Sequence, residues 1–163
     1  MARFGHFDIE QSVAVAAPQQ RVFDLIANLR AWELWNPNGM NDPSVERSYG
    51  GSPGRKGSTL RWRGRRSGRG QMEIIEVSQP DLVTVGVSFE APFKVFNVNT
   101  FKLSYKDGAT SVNWSMHGPM PLVAKVISLV VRPEKMMRGH FEAGLRHLKA
   151  IAEEGSLQWP SRP

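Results

Sequence analysis

The chain of 163 residues contains no cysteine, which excludes disulfide scaffolds, thiolate metal centres and cysteine nucleophiles. Long apolar runs are also missing. The longest, from Met120 to Val131, includes Lys125 and is shorter than the roughly 20 residues that a membrane-spanning helix needs. The first residues lack the apolar segment of a signal peptide. We therefore expect a cytoplasmic protein without a membrane span.

Acidic residues are absent from one stretch of the chain. Between Arg47 and Met72 there are eight cationic residues and no acid, whereas the rest holds thirteen cationic and fifteen acidic residues. The net charge of +6 therefore arises from one local patch. Its centre is a predicted hairpin over 55–69, with these candidate residues for an anionic partner: Arg61, Arg63, Arg65, Arg66 and Arg69.

Two interpretations of this basic hairpin remain open. Several arginines could neutralise phosphates or lipid headgroups, with strongly salt-dependent binding. The aromatic residue among them, Trp62, alternates to the opposite strand face from Arg61 and Arg63, so it offers no base stacking. We do not expect a nucleic acid partner. A solvated basic face is the favoured interpretation, and an interaction module is the alternative.

Hydrophobic periodicity predicts an α+β fold. Alternating residues indicate strands at 7–16, 44–49, 58–64, 69–77, 82–89, 95–105 and 110–117. Helical spacing indicates helices at 18–28, 31–36 and 133–154. Because short turns join neighbouring strands, we expect a curved antiparallel sheet of six to seven strands, with two short helices after the first strand. Residues 1–154 are predicted to form one domain, and 155–163 a frayed tail.

The long final helix carries an apolar stripe formed by Met137, Phe141, Leu145, Leu148 and Ala152. This stripe must lie on the apolar faces of the strands. One helix is too narrow to cover so many strands, and Gly144 removes a side chain in the middle of the helix. The pattern therefore predicts an apolar cavity, with plain core packing as the alternative. The predicted lining is Trp62, Met72, Ile74, Glu76, Val85, Phe89, Trp114, Met116, Leu122, Met137, Phe141 and Leu145.

The segment 118–132 is apolar on nearly all sides, which indicates burial. It is predicted to act as a lid over the cavity. Packing in a homodimer and contact with a membrane surface are the alternatives.

Polar candidates near the cavity are few. Glu76 shares a strand face with Met72, and His117 ends the last strand, so both are weak candidates for general acid–base catalysis. A rim carboxylate and a structural histidine are the favoured interpretation, and acid–base catalysis is the alternative. Asn97 and Asn99 could face either way. His140 and His147 are seven residues apart, too far along a helix to share a metal ion. We predict no metal and no cofactor.

The order of four segments resembles the START-like (SRPBCC) superfamily, in its polyketide cyclase/dehydrase branch. These segments are APQQRVFDLIANLRAWELWNP, GRGQMEIIEV, SVNWSMHGP and FEAGLRHLKAIAEE. The resemblance implies a helix-grip fold, in which a curved sheet wraps the C-terminal helix around a deep apolar cavity. It implies binding of a lipid- or polyketide-like molecule, with a cyclase or dehydrase enzyme as the alternative. No catalytic motif is shared by that superfamily, so no catalytic residue is carried over.

Overall fold

The computed structural model describes residues 6–36, 43–91, 94–119 and 133–154. The helices are α1 (Gln19–Ala27), a 3-10 turn (Leu29–Ala31), α2 (Trp32–Trp35) and α3 (Pro133–Glu153). The strands are β1 (His6–Val15), β2 (Glu46–Gly50), β3 (Thr59–Gly64), β4 (Gly68–Ser78), β5 (Leu82–Ala91), β6 (Val95–Lys106) and β7 (Ala109–Pro119). No helix within these described ranges is long and apolar enough to cross a membrane.

The described strands form one antiparallel sheet of seven, in the order β1-β7-β6-β5-β4-β3-β2. From β2 onward each strand pairs with the next one along the chain, while β1 pairs with β7, where Val13 lies opposite Val112. The turn between β6 and β7 places Asp107 and Gly108 at positive φ, a conformation that glycine adopts without strain. The predicted α+β architecture, with its curved sheet, two early short helices and C-terminal helix, is confirmed.

Helix α3 buries the predicted apolar stripe. Phe141 and Leu145 are at most 3% exposed, Leu148 and Ala152 are fully buried, and Met137 is half-buried. The C-terminal end of α3 is hydrogen-bonded to Ala16, which follows β1, and to Arg21 of α1. Arg21 donates from Nη1 to the Ala152 carbonyl at 3.3 Å, and the Ala16 N–H donates to Glu153 Oε1 at 2.8 Å. These bonds fix the position of the helix over the sheet.

The short helices are held by their tryptophans. Trp32 Nε1 donates to the Ile26 carbonyl at 2.7 Å, and Trp35 Nε1 donates to the Leu25 carbonyl at 2.9 Å. The two indole rings are in contact, with centroids 4.7 Å apart. Both indoles are at most 4% exposed, and an indole buried in this way needs an acceptor for its N–H. The backbone carbonyls of α1 supply it and so fix α2 against α1.

A β-bulge in β4 changes which residues face the helix. Ile74 pairs with Val85, and Glu76 pairs with Thr84, so two residues of β4 stand opposite one residue of β5. Ile74 is fully buried, whereas both Ile75 and Glu76 are exposed. The prediction that Glu76 points inward is wrong, because the bulge interrupts the alternation of faces.

Strand β7 extends to Pro119, so the first two residues of the predicted lid belong to the sheet. The rest of that segment, 120–132, lies outside the described residues, and so does the tail 155–163. The lid and the dimer contact through 118–132 stay predictions.

Candidate ligand cavity

A cavity of about 400 Å³ lies beside the first half of α3. Helix α2, strands β2 to β7 and helix α3 all contribute to its wall. The lining formed by described residues is Trp32, Glu33, Asn36, Val45, Arg47, Leu60, Trp62, Arg66, Ser67, Met72, Val87, Phe89, Asn97, Asn99, Trp114, Met116, Met137, His140 and Phe141. The volume falls within the range of small-molecule sites, about 300–1,000 Å³.

Seven of the twelve predicted lining residues border this cavity: Trp62, Met72, Phe89, Trp114, Met116, Met137 and Phe141. Ile74, Val85 and Leu145 do not, because they are at most 2% exposed and pack in the core. Their faces were predicted correctly, but the cavity occupies only the part of the helix–sheet interface nearest the start of α3. Leu122 lies outside the described residues, and Glu76 is exposed.

Aromatic rings form two parts of the wall. Trp114 and Phe141 are stacked, with centroids 3.9 Å apart and planes 10° from parallel. Trp62 and Phe89 meet edge to face at 5.4 Å. Trp62 lies directly over Gly70 of the neighbouring strand, where any Cβ atom would overlap the indole ring and lie 2.5 Å from the Ser88 carbonyl oxygen. The absence of a side chain at Gly70 therefore makes room for the indole.

Three methionines complete the apolar wall. Met72 and Met116 come from β4 and β7, and Met137 comes from α3. Thioether side chains are unbranched and polarizable, so they adapt to ligands of irregular shape. The wall therefore combines fixed aromatic surfaces with adjustable ones.

Two buried amides place polar groups in the cavity. Asn97 and Asn99 of β6 are 9% and 4% exposed, and both line it. Trp114 Nε1 donates to Asn99 Oδ1 at 2.9 Å, and Asn99 Nδ2 donates to Asn97 Oδ1 at 2.7 Å. The sequence left the orientation of these residues open, and the structure turns both inward.

A charged cluster that the sequence did not reveal lies at the α2 side of the cavity. Glu33 accepts a hydrogen bond from the Tyr49 hydroxyl at 2.9 Å and pairs with Arg47 at 3.5 Å. The Arg30 guanidinium lies 4.2 Å from the centroid of the Tyr49 ring. Burial, followed by the hydrogen bond to Glu33, raises the pKa of Tyr49 to about 12. The cluster joins the early helices to β2. Hydrophobic periodicity in the sequence does not indicate such a contact between distant elements.

The predicted acid–base pair is not in the cavity. His117 follows Met116 on the outward side of β7, is 65% exposed and pairs with Asp8 at 3.3 Å. With Glu76 also exposed, neither weak candidate can reach a ligand there. His140, one turn after Met137, lines the cavity instead. Within the described ranges, no three His, Asp or Glu side chains come together to hold a metal ion.

The basic hairpin is divided between two faces. Arg61 and Arg63 are exposed on the side opposite Trp62, as the alternation predicted. Arg69 Nε pairs with Glu90 at 2.9 Å, and Arg66 lines the cavity. The exposed Arg65 donates its backbone N–H to Ser44 Oγ at 3.0 Å. Arg61, Arg63 and Arg69 line one groove, whereas Arg66 lines the ligand cavity, and an anionic partner stays a prediction.

Comparison with protein families decides the classification. The family model described as polyketide cyclase/dehydrase and lipid transport matches residues 6–153. The chain belongs to this family. Its membership confirms the START-like resemblance, because the match covers nearly the whole chain and includes every described strand and helix.

Many solved structures share this fold. Protein MLL2253 from Mesorhizobium loti superimposes with a TM-score of 0.68 at 10% identity, covering 93% of this chain and all of that one. Protein CV1439 from Chromobacterium violaceum gives 0.64 at 15%, covering 90% and 96%. The Aha1 dimer from Colwellia psychrerythraea gives 0.63 at 14%, covering 93% and 99%. No curated protein sequence matches this chain significantly.

At these sequence identities, the structural neighbours show the fold of this family member and nothing about its function. The family description suggests a role in binding hydrophobic ligands. Which ligand, and through which residues, has to be argued from the cavity itself.

Proposed function

We propose that this protein binds a hydrophobic small molecule, lipid- or polyketide-like, in the cavity beside the first half of α3. One observation carries the proposal: five aromatic rings and three thioethers border a single space of about 400 Å³. The aromatic residues are Trp32, Trp62, Phe89, Trp114 and Phe141, and the thioethers are Met72, Met116 and Met137. Such a lining favours an apolar occupant over water.

Packing energetics support an occupant. Side chains around an unfilled space lose dispersion contacts on one side, and a well-packed core avoids such spaces. A ligand of matching shape restores these contacts. It therefore stabilises the folded state, and this stabilisation rises with the logarithm of the ratio of ligand concentration to dissociation constant.

Native mass spectrometry of the purified protein tests this proposal. We expect an apolar molecule bound at one copy per chain, or, for a protein isolated empty, a raised melting temperature with members of a lipid and polyketide panel. An empty protein whose melting temperature no member of the panel raises would overturn the proposal.

A cyclase or dehydrase activity is the second candidate function. It is supported by the family description and by His140, an exposed residue of α3 that borders the cavity and carries an imidazole capable of proton transfer. His140→Gln should then abolish turnover of a polyketide substrate while leaving its dissociation constant nearly unchanged. If turnover survives in this variant, an acid–base role of His140 is excluded.

A homodimer through 118–132 is a further prediction, and so is a cytoplasmic location. The Aha1 protein among the structural neighbours is a dimer. The same native mass measurement tests whether this chain dimerises, because a dimer appears at twice the protomer mass of 18.2 kDa.

A further inference from the structure

The hydrogen bonds between Trp114, Asn99 and Asn97 have a fixed direction. An indole N–H can only donate, so the Asn99 atom that faces it at 2.9 Å must be the carbonyl oxygen. Asn99 therefore turns its NH₂ group toward Asn97. That group can only donate, so it meets the carbonyl oxygen of Asn97 at 2.7 Å. The indole thereby determines, through two amides, which end of the Asn97 amide takes no part in these hydrogen bonds.

The end left over is the NH₂ group of Asn97. Asn97 is 9% exposed and lines the cavity, and its Nδ2 has no acceptor within the described part of the chain. Among the described residues, His147 Nδ1 is the one fully buried polar side-chain atom without a partner, so Asn97 Nδ2 is open to the cavity. A ligand that displaces water from this donor loses a hydrogen bond unless it supplies an acceptor. The cavity thus presents a hydrogen-bond donor to its occupant.

The strand neighbours of Asn97 are small or apolar. Its partner across β5 is Val87, and Gly118 of β7 lies beside it. A Cβ atom at Gly118 would lie 2.8 Å from the Asn97 Cβ and 3.0 Å from the Phe96 carbonyl oxygen, so a side chain there would displace this part of β6. Arg47 and Arg66 line the same cavity, but Asn97 itself is uncharged, and a neutral carbonyl needs only the donor that it offers.

We propose that Asn97 selects ligands by donating a hydrogen bond from Nδ2 to a neutral carbonyl oxygen on an otherwise apolar molecule. This inference rests on the proposed binding function and names the chemical class of its ligand. A cavity that offers a hydrogen-bond donor binds a ligand with an acceptor more tightly than a ligand of the same shape that lacks one.

A matched pair of probes tests the inference. 2-Acetylnaphthalene and 2-ethylnaphthalene have nearly the same shape, and only the first carries a carbonyl oxygen. Their dissociation constants are measured by isothermal titration calorimetry with the full chain. We expect the wild-type protein to bind the ketone about tenfold more tightly than the hydrocarbon, as for one buried hydrogen bond.

Two variants assign the preference to Asn97. Asn97→Leu keeps the approximate size and removes the donor, but it also leaves the cavity-lining Asn99 NH₂ group without its acceptor, so it should reduce the preference for the ketone. Asn97→Asp still accepts the hydrogen bond from Asn99 but has no N–H, so it should also lose the preference for the ketone. Circular dichroism verifies that each variant is folded. The comparison of the two probes on the wild-type protein tests the inference even if a variant does not fold.

The outcomes separate this inference from the proposed function. Equal wild-type affinities for the two probes would overturn the role of Asn97 and leave hydrophobic binding supported. A ketone preference that survives in both folded variants would likewise overturn it. Binding of neither probe by the wild-type protein would count against the proposed function itself, and the inference would be overturned with it.

Discussion

The indole ring of Trp114 and the phenyl ring of Phe141 are stacked at 3.9 Å, which joins the last strand of the sheet to helix α3. Trp114 is also stacked on Phe101 on the neighbouring strand, with centroids 4.9 Å apart. Both members of the Trp114–Phe141 pair are at most 4% exposed, and both border the cavity. The same pair therefore contributes to folding stability and forms the wall against which a ligand would lie.

Phe141→Ala should lower the free energy of unfolding by about 3 kcal/mol, because it removes a buried ring and enlarges the adjoining space. Urea denaturation measures the change. The control is Met136→Ala in the same helix, whose side chain is 52% exposed, and it should change stability by less than about 0.5 kcal/mol. Equal effects of the two substitutions would show that the stacked pair does not hold α3 on the sheet.

Gly70→Ala should destabilise the protein by about 1–3 kcal/mol, because its Cβ would overlap the Trp62 ring and press on the Ser88 carbonyl. We expect a shift in tryptophan fluorescence as Trp62 moves. The matched control is Gly139→Ala in α3, where no described heavy atom lies within 4 Å of the added Cβ. Helix propensity predicts that this substitution stabilises the protein by up to about 1 kcal/mol. A neutral Gly70→Ala would show that the indole does not depend on this glycine.

The strand faces could be predicted from the sequence because a pleated strand alternates strictly. Trp62 lies inside while Arg61 and Arg63 lie outside, and Met116 lies inside while His117 lies outside. The same rule placed Glu76 with Ile74 and failed, because a bulge adds one residue to β4 and reverses the face. Neither glycine nor proline marks the bulge, so periodicity alone gives no warning of it.

The extent of the cavity could not be predicted from periodicity. Phe141 and Leu145 occupy the same helical stripe, and Met72 and Ile74 the same strand face, yet only the first of each pair borders the cavity. A repeating pattern identifies a face but not the position along it where packing ends. The bond between Tyr49 and Glu33 was equally hidden, since it joins residues 16 apart that belong to different elements.

The pH dependence of stability should reveal the Tyr49–Glu33 bond. The folded pKa of Tyr49, about 12, exceeds the usual value of 10.0 because burial and the Glu33 carboxylate both disfavour the phenolate. The unfolded chain therefore loses this proton first. The stabilisation is complete below about pH 10 and is lost as the pH rises through about 12.

Denaturation of wild-type protein and Tyr49→Phe across this range measures the effect, and the wild-type protein should lose stability more steeply. An absorbance titration of tyrosinate should show a late step that Tyr49→Phe removes and Tyr105→Phe, at a 56% exposed position, retains. A titration without that late step would mean that the phenol is not held by Glu33.

Filling the cavity separates a ligand site from a packed core. Val87 lines the cavity between its strand neighbours Met72 and Asn97 and is 8% exposed. Val87→Phe places a ring in the open space, so it should cost less than about 1.5 kcal/mol of stability. Because the ring occupies the volume that a ligand needs, it should weaken binding of an apolar probe such as 2-ethylnaphthalene at least about tenfold, a loss of about 1.4 kcal/mol.

The control for this experiment is Ile75→Phe, the same type of enlargement on the outer face of β4, where the side chain is 37% exposed. It should leave both stability and probe affinity nearly unchanged. If Val87→Phe instead costs about 3 kcal/mol, as overpacking does, the space is already filled by side chains and the binding proposal is wrong. If Val87→Phe is tolerated and the affinity does not fall, the probe binds elsewhere. Only the combination of tolerance and lost affinity places a ligand against Trp114 and Phe141.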